Sequence, residues 1–274
     1  MKKVAIVGLG WLGMPLAIAL AARGWQVSGT KTTPDGVDAA RRCGIDACQL
    51  ELTPEIVCDA DELESLLKVD VLIVTLPASR TVEGGEKYMQ AVQNIVDSAL
   101  AYNVPRILFT SSTSVYGKGA GVIKESSELV PETVAGKTLV ELENWLHGLP
   151  NTSVDILRLA GLVGPNRHPG RFLAGKTDLQ DGGQGVNLVH LDDVINAIIL
   201  LLQTPKGGHV YNLCAPQHPA RNQFYPTVAK QLGLTAPTFV ADPGEPGKVI
   251  DGGKICHELG FEYSYSDPTV MPLG

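Results

Sequence analysis

Beyond its opening segment the chain has no apolar run approaching the ~20 residues that a membrane span requires, and nowhere does it cluster lysine and arginine. A formal net charge of −7 and a pI near 5.4 exclude nucleic acid and anionic membrane as expected partners, because proteins that track polyanions concentrate basic residues. Cysteine is scarce and unpatterned. Cys43, Cys48, Cys58, Cys214 and Cys256 make an odd count with no C-x-x-C and no neighbouring His pair, which excludes a disulfide framework and a zinc site and fits reduced thiols in a cytoplasmic protein. Repeats, low-complexity tracts and charge runs are missing too. What is present is the composition of a soluble globular protein, 44% hydrophobic and 19% charged over 274 residues. That suits one large α/β domain, or a principal domain with a smaller appendage.

The opening segment, MKKVAIVGLGWLGMPLAIALAARG, supports two incompatible readings. Two lysines, an apolar run and Ala19-Leu20-Ala21 match a secretory signal peptide, with an exported chain starting near Ala22. The same letters hold Gly8-Leu9-Gly10-Trp11-Leu12-Gly13, the G-x-G-x-x-G of a dinucleotide site. In that reading Lys3 to Val7 is a strand buried on both faces. Gly8 makes the tight turn, Gly10 admits the pyrophosphate and Gly13 lets the next helix pack close to the sheet. The helix N–H groups, with Trp11 and Leu12 on the same turn, then face the phosphates. Context decides between the two. Gly24 to Thr30 reads as a turn and a second strand, which completes a βαβ unit of about thirty residues. Cleavage after Ala21 would remove its first strand, so the dinucleotide site is the expectation. Pro15 is the discordant residue, tolerable in a helix's first turn and costly deeper.

Further strand candidates follow at Ile45 to Leu50, short and ambiguous, then Asp70 to Leu76, Arg106 to Ser111, and Ser153 to Arg158. Apolar residues recur at helical spacing from Tyr88 to Tyr102, and a further helix is expected from about Ala135 to His147. Alternating strands and helices predict an α/β protein with a Rossmann-type, doubly wound parallel sheet, which binds ligands beyond the carboxyl ends of its strands. From Ala160 onward Gly and Pro become frequent. Short helices near Asp192–Leu202 and Asn222–Leu232, and a segment Ile255–Leu259, make a small irregular C-terminal substrate lobe. The expected division is 1–160 for the dinucleotide domain and 161–274 for the lobe, with about 187–213 returning to the first.

In this order, GLGWLG, DVLIVTLPA, Ser111-Ser112-Thr113-Ser114-Val115-Tyr116-Gly117, LRLAGLVGPNRHPG and VNLVHLDDVINAI resemble the extended short-chain dehydrogenase/reductase superfamily, in its NAD-dependent epimerase/dehydratase branch. The resemblance covers nearly the whole chain. It implies an oxidoreductase- or epimerase-like activity, a dinucleotide on the Rossmann domain and a small-molecule substrate on the C-terminal lobe. In active members a Ser or Thr four residues before the Tyr of the VYG element positions the substrate oxygen. Here that is Ser112, with Ser111 beside the cofactor and Thr113 beside the substrate. A hydroxyl can donate to, or accept from, a carbinol that becomes a carbonyl; the same small polar residues also suit a plain strand end.

The family's Y-x-x-x-K acid/base pair has no counterpart. Matching Gly136 and Glu143 to the family helix puts Ala135 at the Tyr position and Leu139 at the Lys position, and none of the seven tyrosines is followed four residues later by lysine. Three explanations stay open. Another group supplies the proton, with Tyr116, Lys137, His168 and Arg171 as candidates; a neutral His near pKa 6.5 suits such transfer. Alternatively the chain binds dinucleotide without turnover, or its hydride chemistry needs little proton assistance.

An acid about twenty residues after the glycines marks NAD preference. The second strand ends instead in Thr30-Lys31-Thr32-Thr33, and the next acid is Asp35, beyond Pro34. Lys31 with the hydroxyls of Thr30, Thr32 and Thr33 suits a 2′-phosphate through charge-assisted hydrogen bonds, so NADP is expected ahead of NAD; the alternative is a solvated surface lysine. Leu76 and Pro77 pass beside the adenosine side, offering mainly backbone groups. By the family layout Arg158, Asn166, Arg167, His168 and Arg171 surround the substrate. Guanidinium forks match phosphate and carboxylate, so this set points to an anionic ligand. Arg158 has a structural alternative as the end of a strand, and Asp192-Asp193 after His190 suit a helix cap.

Overall fold

A computed structural model describes residues 1–273. Seven strands form the main sheet: β1 (Lys3–Val7), β2 (Gln26–Lys31), β3 (Asp46–Gln49), β4 (Val71–Val74), β5 (Arg106–Ser112), β6 (Ser153–Leu159) and β7 (Val210–Leu213). Their order is β7-β6-β5-β4-β1-β2-β3. The pairs β1–β2, β1–β4, β2–β3 and β4–β5 are parallel, and the order reverses at β1, where doubly wound sheets bind their ligands. Val4 to Val7 and Leu72 to Val74 are fully buried. A strand covered on both faces needs such a continuous apolar run.

Eight α-helices lie among the described residues: α1 (Gly13–Ala22), α2 (Pro34–Arg42), α3 (Ala60–Leu67), α4 (Val82–Ala101), α5 (Val134–His147), α6 (Leu191–Gln203), α7 (Arg221–Gln231) and α8 (Lys254–Leu259). Pro15 is the third residue of α1 and costs no intrahelical hydrogen bond there. Two helices lie where no helix was expected. Thr33 caps α2 by accepting from Gly36 N, with Pro34 in the first helical position; Asp59 caps α3 by accepting from Asp61 N and Glu62 N. Helix α4 begins at Val82 rather than Tyr88, because Thr81 accepts from Gly84 N. Among the described residues, no helix is long and apolar enough to cross a membrane.

The chain divides into two compact units. The first comprises residues 1–115, 131–157 and 202–210, and the second residues 116–130, 158–201 and 211 onward. The first unit's core is built on β1, β4, β5 and the inner faces of α1, α4 and α5, with Leu16, Leu20, Ile95, Val96, Phe109, Leu142 and Leu146 each at most 1% exposed. In the second unit, Val163, Val186, Leu188, Phe224, Val228, Met271 and Leu273 cluster. There the segments Gly161–Val163 and Leu188–His190 pair in parallel, as do Gly121–Ile123 and Lys248–Ile250.

Candidate functional site

The first unit fixes its glycine turn by side-chain hydroxyls from both flanking strands. Gly8, directly after β1, has φ +104°, a conformation that side chains other than glycine's strain to adopt. Its N–H donates to Thr30 Oγ1 at 3.0 Å, and its carbonyl accepts from Thr75 Oγ1 at 2.6 Å. Leu9 N donates to the Thr30 carbonyl. A Cβ on Gly13 would fall 1.9 Å from Gly8 O, whereas a Cβ on Gly10 would meet nothing within 4 Å. Gly13 is therefore a close-packing glycine and Gly10 borders open space. Trp11 is half-buried, and Leu12 is buried as the N-cap of α1. That helix start has no side-chain cap and no acid in its first turn, so its positive end is left for an anion.

Thr30 was expected on the 2′-phosphate, and the geometry corrects this. At 4% exposure it is too buried to present its hydroxyl to a surface phosphate, and its oxygen accepts from Gly8 N–H, so it shapes the turn. Lys31, the last residue of β2, runs its stem against Gly36 at the start of α2. Its ammonium has no partner among the described residues. Thr32 is exposed, and its carbonyl accepts from Gln49 Nε2. After β4, the Leu76 carbonyl accepts from Tyr88 OH at 3.0 Å. Burial raises the pKa of that phenol and keeps it a donor; Pro77 beside it is exposed.

Beyond Gly8 and Thr75, the carboxyl edge of the sheet continues at β5. Ser111 is buried and donates to Glu143 Oε2 at 3.0 Å. Ser112 is half-buried, and its oxygen accepts from Ser114 N at 3.1 Å, which leaves its hydroxyl proton free to donate. Thr113 is 8% exposed. Helix α5 packs tightly here, because a Cβ on Gly136 would lie 2.6 Å from Ser114 O. Its inner face carries Gly136, Leu139, Leu142, Glu143 and Leu146, with Ala135 on the same side. Lys137 is a correction. Two residues along a helix is a rotation of about 200°, so it lies on the exposed face and cannot replace a side chain at position 135.

In the second unit two expected site residues turn out to hold each other. Tyr116, 4% exposed, donates to Asn212 Oδ1 at 2.6 Å and accepts from Arg158 Nη1 at 2.9 Å. Burial raises its pKa against the opposing pull of Arg158. Arg158, 5% exposed, also donates to the Glu125 carbonyl and lies over the Tyr116 ring. Neither the proton of Tyr116 nor the charge of Arg158 faces an open surface, so the expected acid and the expected anion clamp form an internal network. Asn212 and Glu125, which complete it through Asn212 N to Glu125 Oε2, were not anticipated.

Asn166 adopts φ +61° in a turn closed by paired hydrogen bonds between Gly164 and Arg167. This is the left-handed third position that a type II turn requires after Pro165. Asn166, Arg167 and Arg171 are exposed. His168 Nδ1 accepts from Gly170 N at 3.0 Å, and its pKa is lowered by burial and by Arg171. Asp193 accepts from Ser264 N and Tyr265 N, and His190 Nε2 meets the Pro272 carbonyl. The H-x-D-D element thus secures the C-terminal segment.

Comparison with known proteins agrees with this architecture. The model of the NAD dependent epimerase/dehydratase family matches residues 4–214. Protein YeeZ of Escherichia coli strain K12 is 66% identical over the full length of both chains. A functionally unknown conserved protein of Silicibacter pomeroyi has a structure superposing with a TM-score of 0.78 at 25% identity, covering 98% of this chain and 96% of its own. The Bacillus cereus UDP-glucuronic acid 4-epimerase, solved with NAD, has a TM-score of 0.77 at 20% identity, covering 96% and 92%. With a glycine turn at the head of a parallel sheet, a serine-lined end to β5, and a family match across most of the sequence, the chain belongs to the NAD-dependent epimerase/dehydratase family.

Proposed function

We propose that the protein is a dinucleotide-dependent enzyme of the sugar-nucleotide epimerase/dehydratase type, acting on a hydroxyl or carbonyl of a small anionic substrate, with NADP(H) preferred over NAD(H). The observation that carries this reading is the glycine turn. It is fixed by Thr30 and Thr75 and closed by Gly13, yet open at Gly10, a cradle that fits a pyrophosphate. Backbone groups from Gly8 to Gly13, Trp11 and Leu12 included, hold the phosphates; Leu76 and Pro77 line the adenosine side, and Ser111 underlies the nicotinamide side. When bound, the nicotinamide exchanges a hydride with the reacting carbon. Ser112 donates its free hydroxyl proton to the oxygen on that carbon and so orients it, with Thr113 beside it. Arg167 and Arg171, exposed cations of the second unit, suit an anionic group. The sugar-nucleotide class is supported by likeness to the Bacillus cereus protein, whose described substrate is UDP-glucuronic acid.

A second reading, dinucleotide binding without turnover, is favoured by Ala135 and Leu139, neither of which moves a proton. Single-turnover reduction of NADP⁺ by UDP-sugars, followed through the absorbance of the reduced nicotinamide, separates the two. The first reading predicts a burst in wild-type protein that Ser112→Ala suppresses; a binding protein gives no burst with any of them.

Two predictions concern the cofactor. Lys31→Glu is expected to reverse the NADPH:NADH affinity ratio by at least about tenfold, the worth of one charge-assisted contact replaced by repulsion. An unchanged ratio in fluorescence titrations would mean that Lys31 is a solvated lysine. Thr75→Val removes one hydroxyl and keeps the shape. Losing roughly 1 kcal/mol of turn-fixing hydrogen bond should weaken NADPH about fivefold, with Thr75→Ser restoring the affinity.

A further inference from the structure

We propose that Arg221 and Tyr225, on α7 of the second unit, form a binding site for an anionic oxygen group, a phosphate or a carboxylate. Among the described residues, Arg221 Nε is the buried side-chain polar atom that has no hydrogen-bond partner. Its guanidinium also makes no ion pair there, and the residue is half-buried. The two buried arginines, by contrast, are satisfied: Arg106 holds Asp155 and Thr204, and Arg158 holds Tyr116 and the Glu125 carbonyl. A buried N–H donor left so is costly unless something accepts from it.

Tyr225 stands four residues on, hence on the same face of the helix. Its ring lies 6.0 Å from the Arg221 guanidinium. Burial raises its pKa, which keeps the phenol protonated, and its hydroxyl has no partner among the described residues. Two unpartnered donor groups thus share one helix face. The surroundings are cationic: α7 has no acid in its first turn, Phe172 packs 5.8 Å from the Tyr225 ring, and the Lys176 ammonium lies over Phe172. A guanidinium edge offers two parallel N–H bonds to a pair of oxygens, and the phenol supplies a third donor. The site stands independently of the dinucleotide reading, since both residues belong to the second unit.

The test uses full-length ¹⁵N-labelled protein, with the Arg221 Nε–Hε resonance assigned through Arg221→Lys. Inorganic phosphate, UDP and glucuronate are titrated separately. The proposal predicts a saturable shift of that resonance with at least one of them. A shift with phosphate and UDP alone identifies a phosphate ligand, and a shift with glucuronate alone a carboxylate. By calorimetry, Arg221→Gln should lose at least about tenfold in affinity for the active probe, and Tyr225→Phe about fivefold, with NADPH binding unchanged in both. Should Arg221→Gln fail to fold, the milder Tyr225→Phe carries the comparison. No saturable shift with any probe, or wild-type affinity in the folded variants, would overturn the proposal.

Discussion

Asp155→Ala is expected to remove about 3–5 kcal/mol of unfolding free energy, the loss typical when one partner of a buried ion pair is deleted. Asp155 is fully buried. Its Oδ2 accepts from Arg106 Nε at 2.7 Å and its Oδ1 from His209 N at 3.0 Å. Arg106 in turn donates to the Thr204 carbonyl and hydroxyl. One carboxylate therefore ties the start of β5, the strand β6 and the segment leading into β7. Removing it strands a guanidinium that is itself only 9% exposed. Equilibrium urea unfolding measures the loss. Adding Arg106→Met should recover part of it, because the uncompensated charge is then gone; a double mutant no better than the single would show that the pair's geometry, rather than the stranded charge, dominates.

The second large effect belongs to Gly13→Ala. The new Cβ would sit 1.9 Å from the Gly8 carbonyl oxygen, where an ordinary C···O contact is about 3.3 Å. Helix α1 or the turn must give way by roughly 1.4 Å, the difference between those distances. Displacement of that order in a positioned site costs about a hundredfold, and the same loss is expected in NADPH affinity. Gly10→Ala is the control: with nothing within 4 Å of its Cβ, it should change stability by less than about 0.5 kcal/mol. Equal losses in the two variants would contradict the different roles given to these glycines.

The parts of the fold read directly from sequence were those with strong local signals. Val4–Val7 and Val71–Val74 are uninterrupted apolar runs, and the glycine spacing names its own turn. Helices α2 and α3 were missed because they are short and largely polar. Their signals were the caps Thr33 before Pro34 and Asp59 before Ala60. The first turn and a half of α4 was hidden by Gly84 and Gly85, which give no apolar period. The site was less legible because its decisive contacts are long-range. Gly8 finds Thr30 across 22 residues and Thr75 across 67, and Tyr116 finds Asn212 across 96. No local pattern distinguishes a threonine that binds phosphate from one that holds a peptide group. For the same reason Arg158, a cation at a strand end, reads equally as a ligand clamp or a structural residue, and only its partner Tyr116 decides between them.

The central claim is that the glycine turn holds a dinucleotide. Its most direct test is titration of the full-length protein with NADPH and NADH, following the fluorescence of half-buried Trp11 within the turn and repeated on Gly10→Glu, whose carboxylate would occupy the open face. Saturable quenching is expected in wild-type protein, tighter for NADPH, with its loss in Gly10→Glu at an unchanged melting temperature. Absence of saturable binding for both dinucleotides in the wild type would contradict that claim.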